Sequence, residues 1–74
     1  MKKIIIEHKL EEIHISNVSF DDCIIAYKNK KIYGAILCMN RVWIGNNSNG
    51  DNYSSQNLKQ IIDMIFENCE LFVL

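Results

Sequence analysis

Hydrophobic positions in the middle of the chain fall on both faces of what the pattern predicts to be a three-stranded antiparallel meander, from Asp22 to Gly45. Two short polar breaks, Asn29-Lys30 and Asn40-Arg41, divide this stretch into three runs. Each break fits a two-residue hairpin loop, because Asn tolerates the positive φ that such turns require. Alternate residues of a strand point to opposite faces, and here both alternating sets are apolar. The meander therefore needs cover on both faces.

The two hairpin loops also predict which residues pair across the strands. Tyr27 should oppose Ile32, and Ile25 should oppose Gly34, while Cys38 should oppose Trp43. One face then holds Cys23, Ile25, Tyr27, Ile32, Gly34, Ile36, Cys38 and Trp43. The opposite face holds Ile24, Ala26, Tyr33, Ala35, Leu37, Met39, Val42 and Ile44.

A single amphipathic helix is predicted after the meander. Its apolar stripe recurs at offsets of three and four residues, which is the periodicity of one helix face. Ser54 or Ser55 is expected to cap the N-terminus, and the helix should end near Asn68. The stripe consists of Leu58, Ile61, Ile62, Ile65, Phe66 and Cys69. The apolar run Leu71–Leu74 then predicts a short final strand that joins the sheet.

Two further strands are predicted near the N-terminus, at Lys3–His8 and Glu12–Ser16, joined as a hairpin by a turn at Lys9–Glu11. The chain is thus expected to be one α+β domain over residues 1–74. The predicted architecture is a small, mainly antiparallel sheet of four to six strands with a β-meander core. One C-terminal amphipathic helix is expected to pack on one face, in the order β-β-β-β-β-α-β.

Composition narrows the functional class. The formal net charge is −1 and 49% of the residues are hydrophobic, which favours a packed domain over a disordered chain or a strongly basic nucleic-acid binder. No apolar run approaches the roughly 20 residues that cross a bilayer, so no membrane partner is expected. The three cysteines lie within apolar stretches and indicate buried thiols. We therefore expect a soluble, cytoplasmic protein.

Tests for catalytic and ligand-binding motifs find none, so the chain is expected not to be an enzyme and to carry no cofactor or metal. The polar loop from Gly45 to Tyr53 lacks the carboxylates that a calcium loop needs at its first and twelfth positions. Its glycines match neither of the two common phosphate-binding motifs. The two histidines, His8 and His14, have no paired ligand at a recognisable spacing.

One hairpin tip suggests single-stranded nucleic-acid binding as an alternative function. Aromatic rings interleaved with positive charges can stack bases and hold phosphates. The residues that would form this site are Tyr27, Lys28, Lys30 and Lys31. Lysines at hairpin tips also protect strand edges from aggregation, so this reading competes with a purely structural one.

The second apolar face favours a different function, the binding and occlusion of a macromolecular surface. Exposed apolar surface of a few hundred Å² usually marks an interface, and Trp, Tyr, Met and Arg are enriched at interface cores. The expected partner is another protein or a ribonucleoprotein complex. Two alternatives remain: the N-terminal hairpin folds over this face to make a small barrel or sandwich, or a homodimer buries the face against itself. The expected contact residues are Tyr33, Met39, Arg41, Trp43, Asn47, Asn49, Asp51 and Tyr53.

In size, composition and lack of catalytic groups the whole chain resembles the short accessory proteins of phages and mobile elements. Some of these proteins inhibit host defences, the anti-CRISPR proteins among them. The resemblance implies an inhibitor that acts in the host cytoplasm by binding a host factor. It rests on no motif, and it assigns no functional residue.

Overall fold

The residues that the structure describes fold into a mixed sheet with one α-helix, so the predicted α+β class is confirmed. The computed structural model describes the backbone of residues 2–5 and 13–74, and the side chains of residues 15 and 17–74. In these residues the strand order is β2-β1-β7-β3-β4-β5-β6. The elements are β1 (Lys2–Ile5), β2 (Ile13–His14), β3 (Ile24–Lys28), β4 (Lys31–Met39), β5 (Val42–Asn47), β6 (Asn52–Ser55), α1 (Leu58–Ile65) and β7 (Glu70–Val73), with a 3-10 turn at Ile15–Asn17.

The meander β3-β4-β5 forms as predicted, because the residues of its two tight turns adopt the positive φ that these turns require. Asn29 and Lys30 have φ of 53° and 65°, and Asn40 and Arg41 have φ of 53° and 66°. Positive φ at both central residues defines the type I′ turn, whose twist matches that of antiparallel strands. The predicted pair Cys38–Trp43 follows directly from the second turn and is present.

A bulge in β4 changes the predicted pairing of the first hairpin. Tyr27 pairs with Ile32 as expected, but Ala26 then pairs with Gly34, so Tyr33 is the extra residue. The predicted opposition of Ile25 to Gly34 is therefore wrong, because an inserted residue shifts every later side chain by one position. The bulge brings Ile24 opposite Ile36 and turns both toward the same side of the sheet.

The core lies on one side of the sheet, here called the helix side. Alternate residues of four neighbouring strands and one stripe of α1 form a single buried cluster. Space for the helix comes from Gly45, since a Cβ there would lie 2.8 Å from the Phe66 ring and 2.9 Å from Ile61. The cluster consists of Ile24, Ala26, Ile36, Trp43, Leu58, Ile61, Ile62, Phe66, Leu71 and Val73.

The helix begins later and ends earlier than predicted. Asn57, rather than Ser54 or Ser55, is the N-cap, and its Oδ1 accepts a hydrogen bond of 3.0 Å from the Lys59 amide. Ser55 instead belongs to β6, where its Oγ accepts from the Asn57 amide at 3.0 Å. Across the residues that the structure describes, no helix is long and apolar enough to cross a membrane.

The N-terminal part of the sheet differs from the prediction, whereas the last strand agrees with it. The pairing of β1 with β2 is parallel rather than that of a hairpin, with Ile4 opposite Ile13, and the predicted turn at Lys9–Glu11 lies outside the described residues. β1 is joined to the rest of the sheet by β7, which pairs antiparallel with both β1 and β3. The last strand is therefore present as predicted, and it is an internal strand of the sheet.

Candidate functional site

The side of the sheet that faces away from the core is an apolar surface, here called the open face. The register assigns each residue to it, since these positions alternate with the buried ones along the same strands. Among the side chains that the structure describes, the apolar residues of the open face are Ile25, Tyr27, Ile32, Ala35, Leu37, Met39, Val42, Ile44 and Phe72.

Exposure distinguishes this surface from the helix side. Ile32 is 64% exposed, Leu37 42% and Met39 59%. No open-face residue is buried, whereas every buried residue in the described part of the chain lies on the helix side of a strand, in α1, or at Phe66, which caps the C-terminus of α1. Large apolar side chains that line one contiguous surface in this way indicate an interface.

Among the described side chains, the margin of the open face is polar and its centre carries no charge. Asn46 and Ser54 follow the apolar residues along β5 and β6 on this side. At the opposite margin, Lys30 and Glu70 lie beside the aromatic pair Tyr27 and Phe72, whose ring centroids are 5.4 Å apart in a T-shaped arrangement. An apolar centre within a polar rim is the usual anatomy of a protein–protein interface.

Only some of the predicted contact residues lie on or beside the open face. Met39 belongs to it, and Arg41 is exposed at the adjoining turn. Trp43 does not: its side chain is 3% exposed, belongs to the core, and packs against Phe20 with ring centroids 6.0 Å apart. The prediction that Trp43 contributes to a contact surface is therefore wrong, because alternation along β5 turns it to the helix side together with Gly45.

Tyr33 is also turned to the helix side, by the bulge. Its ring meets the buried Phe66 ring edge to face, with centroids 6.3 Å apart. Asn49 donates from Nδ2 to the Tyr33 hydroxyl at 2.8 Å, and Ser48 donates from its amide and hydroxyl to the Tyr33 carbonyl at 2.7 and 2.9 Å. Tyr33 and Asn49 thus hold the polar loop against the bulge, on the side away from the open face.

The polar loop itself is a closed hairpin between β5 and β6. The Asn47 amide donates to the Asp51 carbonyl at 3.1 Å, and Gly50 adopts a φ of 84° in the three-residue turn between them. The Asn47 side chain donates from Nδ2 to the Ile65 carbonyl at 2.8 Å and to the Asp51 carboxylate at 3.2 Å. Asn47 and Asp51 therefore join the loop to the end of α1, and Tyr53 is half-buried beside them in β6.

The residues of the nucleic-acid hypothesis are divided between the two sides of the sheet. Lys28 lies 5.0 Å from the centre of the Tyr33 ring, on the helix side, and its cross-strand pair Lys31 shares that side. Tyr27 and Lys30 lie at the margin of the open face. The two tyrosines therefore do not form one continuous stacking platform for bases.

The described side chains offer little chemistry for catalysis. Nowhere among them do three or more His, Cys, Asp or Glu residues come together as a metal site. Burial raises the pKa of the Cys69 thiol, and the nearby Lys28 ammonium lowers it in part. A thiol with a raised pKa stays protonated near neutral pH and is a poor nucleophile.

Sequence reasoning missed four members of the open face, which are Ile25, Tyr27, Ile32 and Phe72. Three of them were assigned to the other face, because a β-bulge leaves no mark in the alternation on which that assignment rests. The Tyr33-Gly34 step was the available signal, since Gly within a strand often marks a bulge.

Comparison with protein-family models, curated proteins and solved structures gives no match for this chain.

Proposed function

We propose that the chain is a small non-enzymatic binding protein in which α1 closes one face of the sheet and the open face binds an apolar surface of another protein. Binding would occlude that surface. The observation that carries the proposal is the contiguous set of apolar side chains, of which Ile32, Leu37 and Met39 are the most exposed, on a face that contributes nothing to the buried core of the described residues.

The size of the sheet suits such an interface. The two longer dimensions of the molecule are 33 and 30 Å, and its thickness is 19 Å. Each partner in a standard protein–protein interface contributes about 800 Å². A face of these dimensions can supply that area from one side of the sheet, without any rearrangement of the core.

The chemistry of the face favours a protein over a nucleic acid. Leu37, Ile44 and Ile25 occupy its centre, where a phosphate backbone would require cations. Lys30 lies only at the margin, beside Glu70. An apolar partner surface with a polar rim matches this distribution, and its binding should respond weakly to salt.

The test compares charge insertion at two exposed positions. Leu37→Lys places an ammonium group at the centre of the open face, and Gln56→Lys adds the same charge at an exposed position outside that face. We expect wild type and Gln56→Lys to capture the same protein from a cell extract, with Leu37→Lys reducing capture at least tenfold. Circular dichroism should show that all three remain folded.

Two results would overturn the proposal. The first is capture that survives Leu37→Lys, which would remove the open face from the interface. The second is capture that disappears on nuclease treatment or falls steeply between 50 and about 200 mM salt, which would indicate nucleic acid. In that case the nucleic-acid site would be the β3–β4 hairpin tip with Lys28, Lys30 and Lys31. The double substitution Lys28→Gln and Lys31→Gln would test it.

Inhibition of a host defence factor, which the resemblance to phage accessory proteins implies, is a narrower form of this proposal. It predicts that the captured protein loses its own activity when wild type is added and retains that activity when Leu37→Lys is added. Capture without inhibition would limit the function to binding.

A further inference from the structure

We infer that β6 is a self-association edge, through which a second copy of the chain pairs antiparallel about a two-fold axis at Tyr53. The two sheets then become one continuous sheet. This goes beyond the binding function of the open face and does not depend on it, because the edge and the open face use different atoms.

The alternation of hydrogen-bonded positions along β6 identifies which of its backbone groups point away from β5. In the part of the chain that the structure describes, β6 is the terminal strand of the sheet order and pairs with β5 alone. The Asn47 amide donates to the Asp51 carbonyl, and bonded pairs recur at every second position of an antiparallel ladder. Tyr53 and Ser55 therefore bond to β5, and the N–H and C=O groups of Asn52 and Ser54 point away from the sheet.

The outward N–H and C=O groups of one copy can pair with the same groups of a second copy. With Tyr53 opposite Tyr53 of the second copy, Asn52 of each copy lies opposite Ser54 of the other. Every outward N–H then meets an outward C=O, in two equivalent bonded pairs related by the two-fold axis. No other register brings all four groups of each copy into bonded pairs.

Nothing within β6 protects it from this pairing. Sheet edges are usually protected by Lys, Pro, a bulge or an inward-pointing charge. The strand Asn52–Ser55 contains neither a charged residue nor proline, and its register with β5 runs without interruption from Trp43–Ser55 to Asn46–Asn52.

A second observation places an exposed apolar side chain beside the same edge. The Ser55 hydroxyl donates to Gln60 Oε1 at 2.7 Å, so this flank of α1 faces β6. Met64 lies one helical turn further along that flank and is 58% exposed. In the two-fold arrangement α1 of the second copy comes alongside, and the two Met64 side chains gain apolar cover.

The geometry of the pair also has a consequence for the open face. Antiparallel pairing by a two-fold axis places that axis perpendicular to the sheet, so both open faces look in the same direction. The dimer would present one platform of doubled width. A partner with two copies of the recognised surface would bind it by both halves at once.

The experiment is a light-scattering mass over a wide concentration range, with a matched pair of variants. Ser54→Pro removes the outward N–H, which β5 does not use, and Ser54→Ala removes only the hydroxyl. We expect a dimer for wild type and Ser54→Ala, and a monomer or at least a tenfold weaker dimer for Ser54→Pro. Circular dichroism checks that Ser54→Pro folds.

Amide hydrogen exchange provides a second readout that does not depend on the proline variant. In wild type, the amides of Asn52 and Ser54 should gain protection as concentration rises, while that of Lys31 should not. A monomer at all concentrations overturns the inference. So does a dimer that survives Ser54→Pro but is lost in Leu37→Lys, because such a dimer forms through the open face.

Failure of this inference is distinguishable from failure of the proposed function. Ser54→Pro that is monomeric and still captures the partner supports both. Wild type that dimerises but captures no partner supports pairing through β6 and contradicts binding by the open face. Wild type that stays monomeric and captures the partner contradicts pairing through β6 and supports binding by the open face.

Discussion

The two sides of the sheet consist of neighbouring residues in the same strands, yet they meet opposite environments. In β4, Ile36 is fully buried and Leu37, the next residue, is 42% exposed. Both are large aliphatic residues, so hydrophobicity alone does not decide which of them enters the core. The helix, the register and the bulge at Tyr33 decide it together.

This difference separates stability from binding. The helix side contains the close-packed cluster, and changes there should alter the free energy of unfolding. The open face contributes apolar residues without burying them, so changes there should alter binding and leave folding nearly intact. Pairs of adjacent residues on opposite sides provide the sharpest tests of this separation.

The largest effect is expected from truncating neighbours in β4. Ile36→Ala leaves a cavity in the buried cluster and should lower the free energy of unfolding by about 4 kcal/mol. Leu37→Ala removes a partly exposed side chain and should lower it by less than about 1 kcal/mol. Urea denaturation of the two variants measures both values. Equal losses would show that the open face is buried in the protein as it exists in solution.

The next effect comes from adding volume rather than removing it. Gly45→Ala places a methyl group against the Phe66 ring and Ile61, at 2.8 and 2.9 Å, and should destabilise the fold by about 2 to 3 kcal/mol. Ala35→Val adds more volume on the open face, where β-branched residues suit a strand, and should change stability by less than about 0.5 kcal/mol. Thermal unfolding followed by circular dichroism would compare the two. A neutral Gly45→Ala would contradict the close approach of α1 to β5.

A smaller effect is expected from two adjacent asparagines in β5. Asn47 lies on the helix side and donates to the Ile65 carbonyl, so Asn47→Ala leaves that acceptor unpaired and should lose about 1 to 2 kcal/mol. Asn46 is exposed on the open side, and Asn46→Ala should lie within about 0.5 kcal/mol of wild type. Chemical denaturation of both variants measures the difference. If Asn46→Ala were the more harmful change, the assignment of sides in β5 would be reversed.

The smallest effect should come from the two type I′ turns, which belong to neither side. Lys30 and Arg41 hold φ of 65° and 66°, a region that glycine occupies without the steric penalty of a side chain. Lys30→Gly and Arg41→Gly should each stabilise the fold by about 0.5 kcal/mol and leave partner capture unchanged. A loss of capture in Arg41→Gly with unchanged stability would add Arg41 to the interface.

Sequence reasoning predicted the elements that depend on local chemistry. Asn29 and Asn40 mark their turns because few other residues adopt positive φ. The apolar stripe of α1 recurs every three to four residues, and this spacing alone predicts a helix. The strand β7 followed from a short apolar run after the helix. Each of these features is specified by residues that lie close together in the chain.

The features that were missed depend on contacts between distant residues. β6 contains Asn, Tyr and Ser, a composition typical of loops, and it forms a strand because β5 offers an edge for it to join. The bulge at Tyr33 is stabilised by Ser48 and Asn49, about fifteen residues away. The alternation of residues within β3 and β4 therefore does not predict it. Trp43 was expected at the surface because its residue type is common in interfaces, whereas its side is determined by the alternation along β5.

The position of β7 has a consequence for how the protein is made. β7 follows every other strand of the sheet along the chain, yet it lies between β1 and β3 and joins them. A ribosome delivers about 5 to 20 residues per second, so the earlier strands emerge while the strand between β1 and β3 is still missing. Until Glu70–Val73 leaves the exit tunnel, the facing edges of β1 and β3 have no strand between them. The nascent chain therefore completes its fold only after synthesis of β7, and in that interval it is a candidate substrate for chaperones.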